Sequence, residues 1–209
     1  MYYSQFQQDE AVYKTFFQFK FEGYFVDIGA HNGVEFSNSK YFEDLGWQGI
    51  CIEPNPTVFK ELQANRKCEC VQKAVADRTG KAEFMQLPVA DMLSGLVDDL
   101  NDRALANIKQ NIGDAEPTII EVELDTFDNL VTQTDIDYLS LDTEGNEMKI
   151  LESIDFNKYN IKVMSIENNE YDNRFYNYLT SRGYTALGRL GCDEIYYKNG
   201  LQLFKTNWD

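Results

Sequence analysis

Histidine and cationic side chains are both scarce in this chain. A single histidine, His31, occurs in 209 residues, which excludes histidine-based metal sites and most hydrolase triads. Lysine and arginine total 19 against 35 aspartates and glutamates, which gives a net charge of −16 at pH 7. Nucleic acids are bound by cationic side chains that neutralise phosphates. We therefore expect no DNA or RNA partner and no attraction to an anionic membrane.

Long apolar runs are missing, and cysteines are few. No stretch of 18 apolar residues occurs, so we expect no membrane insertion. The first 14 residues have neither the cationic start nor the apolar centre of a signal peptide. A C-x-C pair alone is a poor zinc signature. We expect a reducing, cytoplasmic compartment and no structural disulfide among the four cysteines, Cys51, Cys68, Cys70 and Cys192.

Short strand-like runs alternate with helical patterns along the chain, without a repeat, a linker or a low-complexity segment. This alternation predicts one α/β domain over residues 1–209, with a doubly wound, mostly parallel sheet. An amphipathic helix is predicted over residues 9–20, with Val12, Phe16 and Phe19 on one face. The clearest strands are predicted over residues 24–28, 49–52, 136–141 and 161–166, and a terminal antiparallel pair over 184–189 and 194–198.

Glycines and acidic residues gather at the ends of the first two predicted strands. Ligands of open α/β sheets bind beyond the carboxyl ends of the strands. Asp27 precedes a turn that contains Gly29 and Gly33, and glycine lets the backbone turn tightly and approach a ligand. Glu53 ends the second strand, where a carboxylate can accept both hydroxyls of a ribose. The pattern predicts a nucleotide-type ligand at this edge.

Two ligands and one purely structural role compete for this turn. A dinucleotide site expects G-x-G-x-x-G with the pyrophosphate on a helix N-terminus. This turn is G-x-x-x-G, and Asp27 would repel phosphate. S-adenosylmethionine, which carries an ammonium, a sulfonium and a ribose, fits Asp27 and Glu53 better. The structural alternative is that the glycines only make a strand-to-helix turn.

Four longer runs carry a family resemblance, namely YFVDIGAHNGVEFSNS, GWQGICIEPNPTVFKEL, IDYLSLDTEGNEMKIL and VMSIENN. Together with the opening SQFQQD and the late DEIYY, they closely resemble the FkbM family of S-adenosylmethionine-dependent methyltransferases. The resemblance implies a class I methyltransferase fold, which is Rossmann-like with seven strands, and methyl transfer to a hydroxyl oxygen of sugars or other natural products. Residues 87–116 match least and are expected to form a variable, substrate-side insertion.

The resemblance also implies which residues hold the cofactor. Gln5 and Gln8, in an N-terminal helical flap over residues 1–20, would close over it; the alternative is that both are solvated helix-start residues. The commoner form of this turn in the family is D-x-G-x-G-x-G, and His31 stands in place of its middle glycine. The His31 backbone is therefore expected to contact the cofactor. The full implied set is Gln5, Gln8, Asp27, Gly29, Ala30, His31, Asn32, Gly33, Glu53, Asn55, Ala74 and Asp142, with Glu53 on the ribose and Asn55 and Ala74 beside the adenine.

A third acidic strand end is Asp142, followed by Glu144, and the next strand ends at Glu167 and Asn168. Adjacent parallel strands lie about 4.8 Å apart, so these side chains can converge. Asp142, Glu167 and Asn168 would offer hard oxygen ligands to Mg²⁺ or Mn²⁺, which would lower the pKa of an acceptor hydroxyl. The alternative is that Asp142 caps the next helix and binds the methionine amine while Glu144 starts that helix. Without metal, Glu144 or Asp142 could act as general base.

We therefore expect an S-adenosylmethionine-dependent O-methyltransferase with Asp142, Glu144 and Glu167 as catalytic residues. The expected acceptor is a sugar hydroxyl of a glycan or glycosylated natural product. Family resemblance further implies fusion to, or cooperation with, glycosyltransferases. An NAD-dependent oxidoreductase and a non-catalytic nucleotide- or glycan-binding domain remain as alternatives.

Overall fold

A computed structural model describes residues 1–204. Its strands are β1 (Tyr24–Ile28), β2 (Gln48–Ile52), β3 (Glu69–Val71), β4 (Ala74–Ala76), β5 (Gly80–Gln86), β6 (Gly95–Leu96), β7 (Thr118–Thr126), β8 (Asp135–Leu141), β9 (Asn160–Glu167), β10 (Tyr184–Leu190) and β11 (Asp193–Lys198). The α-helices are α1 (Gln8–Val12), α2 (Lys40–Asp44), α3 (Pro56–Asn65), α4 (Asp102–Ile112), α5 (Phe127–Leu130), α6 (Glu147–Ser153) and α7 (Arg174–Thr180).

The main sheet has seven strands in the order β10-β11-β9-β8-β1-β2-β3. The pairs β1–β2, β1–β8, β2–β3 and β8–β9 are parallel, whereas β11 runs antiparallel to both of its neighbours. The expected mixed α/β fold with a large, mostly parallel sheet is confirmed. Because β1, β2, β8 and β9 run in the same direction, their acidic carboxyl ends lie along one edge.

A second sheet of four strands, ordered β4-β7-β5-β6, was not expected from the sequence. The predicted strand arrangement is therefore matched only in part. β4 and β6 are three and two residues long, too short to show an alternating pattern. β7 pairs with β4 in parallel and with β5 in antiparallel orientation, so tertiary contacts define this sheet.

The central strands of the main sheet are buried on both faces, which explains their continuous apolar runs. Val26 and Leu139 pack in one core cluster, whereas Phe25 and Tyr138 pack in the other. Successive strand side chains point to opposite faces, so each strand supplies both clusters. This packing fixes the strand register and hence the positions of the residues that follow each strand.

The predicted N-terminal helix is partly wrong. After α1 the chain continues as a π-helical turn over Tyr13–Phe17 and then leaves the helix at Gln18, which has an extended ψ of 124°. Val12 and Phe16 are buried as expected, but Phe19 is 71% exposed and Phe17 is buried in its place. A π-helical turn holds more residues than an α-helical one, so the apolar face rotates away from the expected spacing.

None of the helices within residues 1–204 combines the length and the apolar character that a bilayer span needs.

Candidate functional site

A cavity of about 210 Å³, which we call the first cavity, lies at the carboxyl ends of β1, β2 and β8. Its walls are strongly acidic. The basic side chains in its lining are Lys73, which pairs with Asp125 at 2.7 Å, and His31. Eight carboxyl groups line it, namely Asp27, Glu35, Glu53, Asp91, Asp142, Glu144, Glu167 and Asp193. Such a cavity favours a cationic ligand and disfavours a diphosphate.

Gly29 makes the turn after β1 possible. Its φ is +83°, and a Cβ at this position would lie 1.6 Å from the carbonyl oxygen of Asp142. The backbone N–H groups of Gly29 and Ala30 both donate to the carbonyl of Ile52, at 2.9 and 3.1 Å. The turn is thus fixed between the ends of β2 and β8, where it forms the floor of the first cavity.

Glu53 is placed by backbone donors. It directly follows β2 and is 7% exposed. Its two carboxylate oxygens accept hydrogen bonds from the N–H groups of His31 (3.0 Å) and Asn55 (2.8 Å). The pKa of Glu53 is raised to about 7, mainly because the carboxylate is buried; the two N–H donors lower the pKa, and the negative charges of Asp27 and Asp91 raise it. A hydroxyl that donates to this carboxylate would favour its charged form.

Asp27 is held by partners that the sequence pattern did not reveal. The Ser39 hydroxyl donates to its carboxylate, and the Arg66 guanidinium lies 4.0 Å away. Burial raises the pKa of Asp27, while Arg66 and the hydroxyls lower it. Arg66 has no exposed side-chain surface and also lies 3.2 Å from Glu43. Because Arg66 directly follows α3 and stands beside Lys67, its sequence position is typical of a solvated cation and carries no signal of this role.

Three carboxylates converge at the ends of β8 and β9. Asp142, Glu144 and Glu167 each place an oxygen within 4.8 Å of the others, and we call them the acidic trio. Asp142 and Glu167 are brought together because Leu141 pairs with Ile166 in the parallel β8–β9 register. Burial and mutual repulsion raise the pKa of Asp142 and of Glu167. Burial and the negative charge of Glu147 raise the pKa of Glu144 to about 8.

Glu144 reaches the trio through a strained turn. Its φ is 61°, in the left-handed region, and α6 begins only at Glu147. The interpretation that Glu144 starts this helix is therefore wrong. The Glu147 carboxylate, which sequence reasoning missed, accepts from the N–H groups of Thr143 (2.9 Å) and Gly145 (3.0 Å) and so holds the turn. Strain of this kind in a non-glycine residue gathers at functional sites.

The N-terminal segment and the last strand close one side of the first cavity. The Gln8 side-chain amide donates to Asp193 at 2.9 Å, and the Asn38 amide donates to Asp193 at 3.3 Å and to Ser140 at 3.1 Å. Gln8 is buried, so it is not a solvated helix-start residue, whereas Gln5 is exposed and lines the cavity. Asp193, Asn38 and Ser140 were missed, although all three lie within the runs that carry the family resemblance.

Most of the sequence-predicted site residues reach the first cavity. Asn32 instead accepts from the N–H groups of Val34 and Glu35, at 3.1 and 2.9 Å. Gly33 faces Leu62 and Arg66, where a Cβ would clash at 2.5 and 2.7 Å. The predicted residues that do line the cavity are Gln5, Gln8, Asp27, Gly29, Ala30, His31, Glu53, Ala74, Asp142, Glu144 and Glu167.

Asn55 and Asn168 also lie outside that lining. The Asn55 side chain caps α3 by accepting from the N–H of Thr57 at 3.1 Å. The Asn168 amide donates to the carbonyl of Asp172 (2.9 Å) and to Glu194 (3.0 Å). Its oxygen is buried without a hydrogen-bond partner among the described residues. Asn168 lines a second cavity, of about 380 Å³, that shares Leu93, Glu144 and Glu167 with the first.

The segment expected to form the substrate side lies over the first cavity. Within residues 87–116, the short 3₁₀ turn Asp91–Leu93 and the residues Ser94 and Leu96 line the cavity. The His31 ring nitrogen Nε2 lies 3.2 Å from the Asp91 carboxylate, which ties this segment to the turn after β1.

Comparison with known proteins identifies the family. None of the curated proteins matches this chain. A family model described as the methyltransferase FkbM domain matches residues 27–186, well over half of the chain, and this span begins at Asp27 and includes Glu53 and the acidic trio. The mixed α/β fold with its large, mostly parallel sheet is consistent with a Rossmann-like methyltransferase. The chain therefore belongs to the FkbM methyltransferase family.

Proposed function

We propose that this protein is an S-adenosylmethionine-dependent O-methyltransferase that modifies a sugar hydroxyl of a glycan or glycosylated natural product. The observation that carries the proposal is the first cavity, where eight carboxyl groups face one lysine and one histidine. A ligand with an ammonium and a sulfonium offsets this charge, whereas the phosphates of NAD add to it. The same observation weighs against the oxidoreductase alternative.

The residues of the first cavity fit the cofactor from end to end. Glu53 accepts the ribose hydroxyls, and Ala74 borders the adenine, with Asn55 supporting Glu53 through its N–H. Asp27 and Asp142 face the cationic methionine end. When bound, the cofactor supplies an electrophilic methyl group on its sulfonium. Gln5 and the buried Gln8 make residues 1–20 the flap that closes this side.

The remaining residues of the cofactor set act through the backbone. Gly29, Ala30 and His31 bring the turn after β1 against the ligand, and Asn32 and Gly33 hold that turn on α3. Residues 87–116 form the substrate side of a single domain over residues 1–209. We place the protein in the cytoplasm, where the family resemblance makes glycosyltransferases its working partners.

The acidic trio orients and deprotonates the acceptor hydroxyl. A sugar hydroxyl is a weak acid, so its oxygen needs help to lose a proton as it attacks a methyl group. Glu144, with Asp142 beside it, is the general base, because the turn held by Glu147 aims it at the junction of the two cavities. Glu167 orients the hydroxyl from the neighbouring strand end. Alignment of oxygen and methyl group supplies much of the rate enhancement.

A divalent cation at the trio is the second candidate for this step. Three carboxylate oxygens within 4.8 Å are suited to Mg²⁺ or Mn²⁺, and Asn168, next to Glu167, would complete the oxygen set. The cation would offset the repulsion among the acids and acidify the acceptor hydroxyl. Titration with Mn²⁺ by calorimetry tests this: we expect wild-type binding to be lost in Glu167→Gln and retained in Asp98→Asn, an exposed acid outside the trio. Equal binding by all three proteins contradicts a metal at the trio.

Cofactor identity is tested by calorimetric titration with S-adenosylhomocysteine, the demethylated product, and in parallel with NAD. We expect the homocysteine ligand to bind and NAD not to bind. NAD binding alone would replace the proposal with the oxidoreductase. Binding of neither ligand would favour a non-catalytic domain.

Measurements of turnover distinguish a catalytic role of the acidic trio from a role in cofactor binding. With methyl transfer to a panel of sugars as the readout, Asp142→Asn and Glu167→Gln are expected to reduce turnover more than S-adenosylhomocysteine affinity. If turnover is unchanged in both variants, the trio is not the catalytic group.

A further inference from the structure

The second cavity lies between α4 and the loop that follows β9. Leu93, Glu144 and Glu167 belong to the walls of both cavities, so the two meet at the acidic trio. Asn101, next to the start of α4, donates to Glu170 in the β9 loop at 2.8 Å and so joins the two sides. An acceptor hydroxyl that reaches the trio from this side leaves the rest of its molecule in the second cavity.

The wall of the second cavity is suited to a molecule with many hydroxyls. Amide side chains can donate to and accept from hydroxyl groups at once. Four of them line this cavity in addition to Asn168, namely Asn101, Asn107, Gln110 and Asn169. Tyr171 adds a ring that is 58% exposed.

Arg103 is the feature of this wall that the proposed function leaves unused. Its guanidinium lies 5.4 Å from the centre of the Tyr171 ring, which orients it by a cation–π contact. Across residues 1–204 it makes no ion pair and no side-chain hydrogen bond, whereas Arg174 pairs with Asp172 at 3.0 Å and Arg189 pairs with Glu194. Arg103 is thus an oriented guanidinium whose N–H donors are all free, in a chain of net charge −16. Such a group can bind a carboxylate or a phosphate through two parallel hydrogen bonds.

We propose that the second cavity binds the acceptor and that Arg103 selects a sugar bearing a carboxylate or phosphate group. The proposal rests on the proposed methyltransferase function for the role of the bound sugar. The wall of the second cavity carries groups of opposite charge, since Glu144 and Glu167 of the acidic trio repel an anion and Arg103 attracts it. An acidic sugar is therefore oriented with its anionic group at Arg103 and a hydroxyl at the trio, whereas a neutral sugar gains no such orientation.

The test is calorimetric titration with glucuronate, glucose 6-phosphate and glucose, with and without S-adenosylhomocysteine. We compare wild type with Arg103→Gln and with Arg182→Gln. Arg182 is a matched control because its guanidinium also lies over a tyrosine ring, at 3.5 Å from Tyr178, but lines neither cavity. We expect at least one acidic sugar to bind about tenfold or more tightly than glucose, and to lose that advantage in Arg103→Gln but not in Arg182→Gln.

Each result decides the proposal. Preference for glucuronate alone assigns a carboxylate, and preference for glucose 6-phosphate alone assigns a phosphate. Equal affinity for glucose and both acidic sugars overturns the proposal, as does no binding of either acidic sugar. An equal loss in Arg182→Gln overturns it too, because the effect is then one of net charge. Binding of S-adenosylhomocysteine is measured separately in the same proteins. Failure of the proposed function is then seen as absence of S-adenosylhomocysteine binding, independently of the results with the sugars.

Discussion

The two cavities differ in what builds them. The first cavity is formed by residues at strand ends, such as Glu53 after β2 and Asp142 after β8, and the strands before them are buried. The second cavity is formed by α4 and a loop, and part of its wall, including Arg103 and Tyr171, is exposed. Positions on a packed sheet are fixed by strand register, whereas positions on a surface helix change without disturbing the core.

In the function proposed above, this difference would separate two tasks. Methyl transfer needs groups held at fixed positions, which the sheet edge would provide. The choice of acceptor needs side chains that can change without disturbing the core, which α4 would provide. Substitutions in the first cavity are therefore expected to have larger effects than those in the second.

The largest effect is expected from Gly29→Ala. The new Cβ would lie 1.6 Å from the Asp142 carbonyl oxygen, and the residue would keep an unfavourable φ of +83°. We expect the free energy of unfolding to fall by about 3 kcal/mol or more, as measured by chemical denaturation. Gly183→Ala is the matched control, because its φ is +85° but no atom lies within 4 Å of its Cβ. Equal losses in both variants would show that backbone strain alone, and not the contact between strand ends, is responsible.

The next largest effect is expected from Glu53→Gln on S-adenosylhomocysteine affinity. The neutral amide accepts the ribose hydroxyls less well than a carboxylate, and hydrogen bonds to charged groups contribute roughly 1.5–3 kcal/mol. We expect calorimetry to give affinity about 10- to 100-fold weaker, with acidic-sugar binding unchanged. Glu35→Gln removes a charge from the same cavity at an exposed position and is expected to have a much smaller effect. Loss of acidic-sugar binding in Glu53→Gln would show that Glu53 also contributes to binding in the second cavity.

The pH dependence of the first cavity follows from the same residue. The pKa of Glu53 is raised to about 7 in the fold, so its contribution to stability is fully present below the unfolded pKa of about 4.3 and is lost as pH rises through about 7. The ligand favours the ionised carboxylate, so S-adenosylhomocysteine affinity is expected to rise about tenfold between pH 6 and pH 8. Calorimetry at several pH values measures this rise. Glu53→Gln should flatten it, and a rise that persists in the variant would assign it to another group.

The smallest effect is expected from Tyr171→Ala in the second cavity. An exposed cation–π contact contributes about 0.5–1 kcal/mol, so removing the ring should weaken acidic-sugar binding about two- to fivefold. Tyr171→Phe keeps the ring face and should restore wild-type affinity in the same titration. A loss as large as that of Arg103→Gln would mean that the ring itself is the main binding group.

The strand ends were predictable because burial on both faces gives strong apolar runs. The bounds predicted for the first strand are those of β1, and β8 differs from its prediction by one residue. Since acidic residues at the ends of parallel strands share an edge, Glu53, Asp142 and Glu167 could be placed together from the sequence.

Other parts of the site depend on contacts that leave no local pattern. Arg66 reaches Asp27 only because α3 packs over the turn after β1. The second sheet is held by pairing between β5 and β7, two strands far apart in the chain. The alternative that Glu144 starts the next helix is wrong, because the Glu147 carboxylate stabilises a turn there instead.

The hydrogen bond from Gln8 to Asp193 joins residues 185 positions apart in the sequence. During synthesis, the acidic strand ends are all made before residue 193 emerges, so the first cavity lacks one wall until then. The closing of such a distant contact is slow relative to local folding. Ligand binding would thus begin only after residue 193 has been made, and a chain cut before residue 193 would carry the carboxylates without the wall that confines a ligand among them.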